Sequence, residues 1–317
     1  MWDWKTLPSL TGKVALVTGA NAPESVGWHV AYQLALLNAK VFVGARNLVK
    51  AESGIQKMLE ILPNVNASNL SPFVADLGNF KEVEKAAKAF IAQEERLDIL
   101  INNAAALSRP NDKDENGISI SFGTNHLGPF LLTKTLLPLM IETSQQPRSD
   151  VRIINLTSTS HYEVPPTARY RNLTDFNQDF GNPDSRETNH IRYGYSKLAN
   201  ILFTKELQRR LDNIEVPILT ISVNPGGVGT AGAAKSIGGN AEEKFKKAGA
   251  LTPFQGAITP LFAAVHSEPR EDIESFKGAF LLPWGGLKEP SELAQDEVLA
   301  KELWETSEKV LEKVLVG

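Results

Sequence analysis

Tyr193 and Lys197 stand four residues apart in the run Tyr193-Gly194-Tyr195-Ser196-Lys197, inside a stretch, 188–211, with a helical apolar pattern. Residues at that spacing share one helix face, which would set a phenol beside an ammonium. A phenol with an ordinary pKa of about 10 exchanges protons poorly near neutrality. A neighbouring cation favours the phenolate and lowers that value, so Tyr193 is a candidate general acid/base toward a carbonyl or alcohol oxygen. Many surface helices carry this spacing by chance, so its weight depends on its company. Ile153-Ile154-Asn155-Leu156-Thr157-Ser158 supplies part of that company, bringing a hydroxyl to the end of a β-branched run. Ligands of open α/β sheets sit beyond the carboxyl ends of the strands. Ser158 is therefore a candidate to polarise the same oxygen. Thr124-Asn125-His126 adds an amide in the preceding helical stretch.

A second group of residues suits a dinucleotide. The first apolar run, 13–18, opens into Thr18-Gly19-Ala20-Asn21-Ala22-Pro23-Glu24-Ser25-Val26-Gly27. A tight turn followed by helix N–H groups is what a pyrophosphate needs. Gly19 can make the turn, and Gly27 can let helix and strand approach. The usual middle glycine is missing, and Ser25 stands where backbone would approach phosphate, its hydroxyl a substitute donor. The same arrangement also serves as an ordinary strand-to-helix connection. The second strand ends Val43-Gly44-Ala45-Arg46, without the carboxylate that would bind a ribose 2′-OH. The Arg46 fork suits a 2′-phosphate, so NADP(H) is expected over NAD(H); the alternative is a solvated arginine at a helix start.

These residues need elements to hold them. Strands are expected at 13–18, 40–44, 70–75, 98–102, 150–156 and 216–223, with a last one at 279–282. Helical patterns at 26–38, 47–62, 79–95, 119–141 and 188–211 lie between them. That alternation implies an α/β fold: a doubly wound, mostly parallel sheet of Rossmann type in one domain spanning 1–317. Two irregular stretches, 161–189 and 231–250, follow strands and are expected to form the substrate-side insert and lid, with surface excursions or subunit contacts as the alternative. A helical extension is expected at 291–315. Apolar residues make up 42% and charged residues 22%, ordinary for a globular chain, and a net charge of −4 argues against nucleic acid. The absence of cysteine excludes disulfides, thiolate nucleophiles and thiolate metal sites. Residues 1–5 lack the apolar core of a signal peptide, and no apolar run reaches membrane-span length, so a cytoplasmic protein is expected.

Taken together the motifs resemble the short-chain dehydrogenase/reductase family over about residues 11–230. Thr18-Gly19 with Gly27 is similar to its nucleotide loop, Asp76-Leu77 to its acid-bearing turn near adenine, and Asn102-Asn103-Ala104-Ala105 to its Asn-Asn-Ala-Gly, with Ala105 replacing Gly. Asn125, Ser158, Tyr193 and Lys197 match its catalytic tetrad, and Pro225-Gly226-Gly227-Val228-Gly229-Thr230 its nicotinamide turn. The resemblance implies that Gly19, Asn21, Ser25, Val26, Gly27, Arg46, Asp76, Leu77, Asn103, Ala104, Ala105, Pro225, Gly226, Val228 and Thr230 hold NADP(H). Lys197 would also hold the nicotinamide ribose, with Tyr193 beside it, and Asn125 would support a water in a proton relay. The enoyl-reductase branch shares the Ser25 loop but needs its tyrosine seven residues before the lysine, where this chain has His190. Phe122 to Leu137 and Leu303-Trp304-Glu305 resemble retinol-dehydrogenase-like and fungal members, which implies a bulky apolar carbonyl or alcohol as small-molecule substrate, with reduction favoured.

The five histidines show no metal spacing, and no metal is expected. His161 either borders the substrate or is bonded locally. No G-x-S-x-G elbow or phosphate-binding G-x-x-x-x-G-K-[ST] run is present. A homo-oligomer is open, since the fold often pairs through its long helices. The rival function is a catalytically silent NADP(H) sensor or interaction protein on the same fold, which typically lacks the tyrosine or lysine.

Overall fold

A computed structural model describes residues 6–61, 65–107, 109–181 and 185–316. Strands β1 Val14–Val17, β2 Lys40–Ala45, β3 Leu70–Val74, β4 Ile99–Asn102, β5 Arg152–Leu156, β6 Leu219–Val223, β7 Phe280–Leu282 and β8 Gly286–Leu287 form one sheet in the order β3-β2-β1-β4-β5-β6-β7-β8. All neighbours are parallel except β7 and β8, which run antiparallel. The chain reverses its winding between β1 and β4, the place where such sheets open a crevice at their carboxyl edge.

The helices are α1 Val26–Leu36, α2 Leu48–Ile61, α3 Phe80–Gln93, α4 Ile120–Phe122, α5 Gly128–Ser144, α6 Leu173–Phe176, α7 Arg186–Asn213, α8 Ala231–Ile237, α9 Ala241–Ala248, α10 Pro253–Val265, α11 Glu268–Glu271, α12 Ile273–Phe276 and α13 Glu297–Val316. One apolar core joins α3, α5, α7 and α13 to one face of the sheet; the other joins α1, α10 and α12 to the opposite face. The central strands are buried on both faces, which is why their sequences read as short, mostly apolar runs without a strict alternation.

The expected strands form, β2 one residue longer than expected and the others trimmed by a residue or a few. The helix expected over 119–141 is interrupted: α4 and α5 are joined by a single π turn, Gly123–Leu127. Pro129 explains it, because proline has no N–H to return to the Asn125 carbonyl and its ring crowds that oxygen. Residues 1–5 and Leu62 of the expected helix end lie outside the described residues. The long helix begins earlier than expected, at Arg186, where the Ser185 side chain accepts from Thr188 N. Within 161–181, the aromatics are largely core: Phe176 stacks on Phe122 at 4.4 Å and Tyr170 on Tyr195 at 4.5 Å. By contrast α8 and α9 bury no side chain. Among the described residues no helix is long and apolar enough to cross a membrane.

A chain of buried polar groups crosses the middle of the sheet. Asn102 Nδ2 donates to Asn155 Oδ1 at 2.8 Å and to Thr133 Oγ1 at 3.0 Å, and Asn155 Nδ2 donates to Thr204 Oγ1 at 2.9 Å. It links β4, β5, α5 and α7 just below the carboxyl edge.

Candidate active site

Ser158 leaves β5 in an extended conformation and caps the 3-10 turn Thr159–Glu163, its hydroxyl accepting from Ser160 N at 3.2 Å. Tyr193 comes down on it from α7, and its phenol hydrogen-bonds the Ser158 side chain. Gly194 makes this approach available: a Cβ there would lie 2.4 Å from the Ser160 carbonyl oxygen. Thr157 Oγ1 fastens the strand end to the helix by donating to Lys197 O at 2.7 Å. Lys197 is buried, its amine donating to Leu156 O at 2.9 Å and standing 5.6 Å from the Tyr193 ring centre. Tyr195, the other tyrosine of the run, points into the aromatic core, where its hydroxyl donates to Asp175 O at 3.0 Å and to Arg169 O.

The electrostatics differ from the expectation that the amine draws the phenol down. Burial raises the Tyr193 pKa above its ordinary value, and the Ser158 hydrogen bond only partly offsets this. Burial lowers Lys197 to about 7. Desolvation of both groups outweighs their mutual effect in the protein alone. Among the described residues the Lys197 amine has a single protein acceptor, Leu156 O, for three N–H bonds. A buried amine with donors to spare suits the hydroxyls of a ribose.

Asn125 sits in the π turn and is fully engaged. Its Oδ1 accepts from Ala106 N at 2.6 Å, and its Nδ2 donates to Ala106 O and to Ser196 Oγ, both at 2.9 Å. The side chain thus clamps the loop after β4 to α7. Its main-chain carbonyl lacks an α-helical donor at Pro129.

The nucleotide loop is built largely as its glycines imply. Gly19 has φ +65°, and a Cβ there would lie 2.9 Å from Ala104 Cα; at Gly27 it would lie 2.3 Å from Asn103 Nδ2. Asn103 Nδ2 donates to Thr18 O at 2.7 Å and Gly19 O at 3.2 Å, while Thr18 Oγ1 accepts from the N–H groups of Asn103 and Ala104, both at 3.0 Å. Asn103 and Ala104 therefore brace the loop, and Ala105 is exposed beyond them. Ser25 differs from the expected phosphate donor. Its hydroxyl donates to Ala22 O at 2.7 Å and accepts from Trp28 N at 3.3 Å, the bonds of an N-cap. Val26 opens α1, and Asn21 backbone packs close to Gly54 of α2. Arg46 is exposed just past β2. Asp76 Oδ1 accepts from Gly78 N at 3.0 Å in a local turn, and Leu77 is buried with its carbonyl facing Gly128.

After β6 the chain turns at Gly226, φ +89°. Asn224 Oδ1 accepts from Gly226 N at 3.2 Å, Val228 pairs with Leu251, and Thr230 caps α8 by accepting from Ala233 N at 3.1 Å. Pro225, Gly226, Val228 and Thr230 thus border the carboxyl edge opposite the glycine loop, and Ala231 N reaches Glu24 O at 3.4 Å. His161 is buried and locally bonded, its Nδ1 2.7 Å from Ser158 O. Residues that shape this site without a role expected for them are Thr18, Pro129, Ser160 and Gly194. A glycine between two tyrosines on a helix, and a proline four residues after the amide, were the available signals.

A family model described as short chain dehydrogenase matches residues 13–171. The chain is 40% identical to a short-chain dehydrogenase/reductase of Armillaria gallica over 98% of this chain and 96% of that one. It is 33% identical to retinol dehydrogenase 11 of Mus musculus over 94% and 86%. A solved structure from Mycobacterium paratuberculosis superposes with a TM-score of 0.72 at 27% identity, covering 98% of this chain and 97% of that one. The NADPH-bound carbonyl reductase from chicken fatty liver shares the fold, with a TM-score of 0.60 at 21% identity over 89% and 100%.

Proposed function

Given that the chain belongs to the short-chain dehydrogenase/reductase family and is a hydride-transfer oxidoreductase, we propose that it is an NADP(H)-dependent carbonyl reductase or alcohol dehydrogenase for a bulky apolar substrate. The observation that carries the reading is the convergence of Ser158, Tyr193 and Lys197 at the carboxyl end of β5. When bound, the nicotinamide supplies or accepts the hydride. Gly19, Asn21, Val26, Gly27, Asn103, Ala104 and Ala105 would hold the diphosphate side, Asp76 and Leu77 the adenine, and Pro225, Gly226, Val228 and Thr230 the nicotinamide. The N-terminus of α1 offers Val26 and Gly27 N–H groups to anionic oxygen, with Ser25 capping beside them. Arg46 offers a charged fork to a 2′-phosphate, and NADPH is the ligand of the chicken carbonyl reductase.

Ser158 donates to the substrate oxygen, and Tyr193 delivers or removes the proton there. Lys197 would hold the ribose, and burial, which lowers its pKa to about 7, lets it gain and lose its proton around neutrality. Burial keeps Tyr193 protonated, the form needed to give a proton to a carbonyl oxygen, while making it a weaker acid than a free phenol. Asn125 fixes the loop at Ala106 and turns its carbonyl toward a relay water. The exposed helices α8 and α9 would close over the substrate, with 161–181 as wall. A cytoplasmic setting belongs to this proposal, and cell fractionation tests it. Pairing of two copies would use a face other than α5 and α7, because Trp304 of α13 covers Phe130 and Phe203 there.

The test is NADPH oxidation by the full chain against bulky apolar aldehydes and ketones, beside Tyr193→Phe. Turnover that falls roughly 10²- to 10⁴-fold in the variant is expected. NADPH binding without turnover, or a Tyr193→Phe protein as active as the wild type, overturns the reading in favour of a binding protein.

A further inference from the structure

Two histidines outside the tetrad contact one distant segment, Glu289 to Ser307, and each adjoins a proposed catalytic residue. His161 lies in the 3-10 turn that begins at Ser158. Its Nε2 lies 3.1 Å from Ser291 N. A main-chain N–H can only donate, so Nε2 accepts and Nδ1 carries the proton, which it gives to Ser158 O at 2.7 Å. The ring is held between Tyr162, at 4.0 Å, and the edge of Phe280, at 5.1 Å. Tyr162 ties the same turn to the same segment, its hydroxyl donating to Glu289 O at 2.6 Å.

His126 follows Asn125 in the π turn. Ser307 Oγ of α13 donates to Leu303 O at 2.8 Å, so toward His126 Nε2, also at 2.8 Å, it accepts. His126 therefore donates from Nε2, and its buried Nδ1 has no partner among the described residues. Both rings are buried. His161 has both nitrogens committed, so it has no proton to exchange with a substrate.

We propose that His161 and His126 are positioning residues through which the 289–307 segment sets the Ser158 turn and the Asn125 turn. This rests on the reading of Ser158 and Asn125 as catalytic. Ser158 follows the last strand bond, Thr157 N to Val223 O, and its carbonyl accepts from His161 twice, from the main-chain N–H at 3.3 Å and from the ring, which the 289–307 segment holds. Asn125 sits where Pro129 has weakened the helix, and the neighbouring His126 pins that turn to α13. Each histidine thus supplies a constraint at the point where the regular backbone ladder ends.

Ser291→Pro tests the first arm with His161 and Ser158 intact. Ser291 has φ −59°, close to the value of about −65° that proline imposes, so the backbone accepts the change, which removes the N–H and sets the proline Cδ in its place, displacing the His161 ring from Nε2 contact. The Ser291 hydroxyl makes no hydrogen bond among the described residues, so Ser291→Ala, which keeps the N–H, is the control. Ser291→Pro is expected to lower kcat about ten-fold on the fastest substrate of the carbonyl panel, with the Kd for NADPH within about two-fold. Hydrogen exchange of the amides at 159–164 should quicken about ten-fold or more, and Ser291→Ala should match wild type in both. For the second arm, His126→Leu should lower kcat and quicken exchange at 123–128, while His126→Gln, which keeps a donor near Nε2, should restore both. Unchanged exchange in Ser291→Pro, or faster exchange with unchanged kcat, overturns the proposal. A Tyr193→Phe protein with full activity removes the catalytic reading instead, and leaves the exchange result standing on its own.

Discussion

Gly194→Ala should disable the site while leaving the fold in place. The substituted Cβ would stand 2.4 Å from Ser160 O, 3.0 Å from Ser160 C and 3.4 Å from Ser160 Cβ. All three belong to the short turn that starts at Ser158, and two are backbone atoms that cannot rotate aside. Ordinary contact begins near 3.4 Å, so α7 and that turn must part by about 1 Å. Tyr193 and Ser158 flank this contact, and a misplacement of about 1 Å costs on the order of 10²-fold in rate. Stability moves less. Relief of crowding costs about 1–3 kcal/mol, and replacing a helical glycine returns up to about 1 kcal/mol. The assay is kcat with NADPH and a carbonyl substrate, with NADPH binding by fluorescence and a melting curve on the same preparation. The expected result is a kcat near one-hundredth of wild type, retained NADPH binding and a melting temperature lower by a few degrees. A variant with kcat within three-fold of wild type would show that the turn yields elsewhere and that this contact does not set the Ser158–Tyr193 geometry.

Arg46→Ala should lower kcat/KM for NADPH about ten- to one-hundred-fold and leave NADH little changed, as expected for one charged hydrogen bond of about 1.5–3 kcal/mol. An undiminished NADPH preference would remove Arg46 from the site. Pro129→Ala gives Asn125 O a potential helical donor; the π turn should tighten toward α, with stability held or raised and kcat lowered. A kcat equal to wild type argues that the π turn is incidental. Burial holds His126 at about 3 in the folded protein against 6.5 in an unfolded chain, so the unfolded state binds more protons between those values. Its contribution to stability is complete above about pH 6.5 and drains away toward about pH 3. The His126→Gln melting temperature should fall less steeply over that acid range, and parallel curves count against the assignment.

Much of this molecule is legible in its sequence because its central strands are buried on both faces and end at glycines or polar residues. The runs at β1, β2, β4, β5 and β6 announce themselves for that reason. Helix α10 does not, since Pro253, Gly256 and Pro260 read as breakers. Its real signature is local: Thr252 and Gln255 form a reciprocal capping box, and Pro253 sits in the first turn, where its missing N–H costs nothing. The site shows the same division. Spacing alone aligns Tyr193 with Lys197, but whether the amine or the burial governs the phenol depends on desolvation, a property of the whole fold. By sequence the Ser25 hydroxyl reads as a phosphate donor, and only the positions of Ala22 and Trp28 show that it caps α1. The aromatics of 161–181 look like pocket lining by type and turn out to be largely core, because Phe122 and Tyr195 present a surface for them to cover.

The paired asparagines beneath the site act as a vernier. Asn102 and Asn155 are direct neighbours across β4 and β5. Sliding one strand by a single notch, about 3.3 Å, would set a buried amide against Ile154 or Leu156 and turn the strand's other side chains onto the wrong face. Parallel hydrocarbon strands offer little else to forbid such a slip. The height of Ser158 above the Thr18–Asn103 junction is thereby graduated from below, by two residues that never meet the substrate.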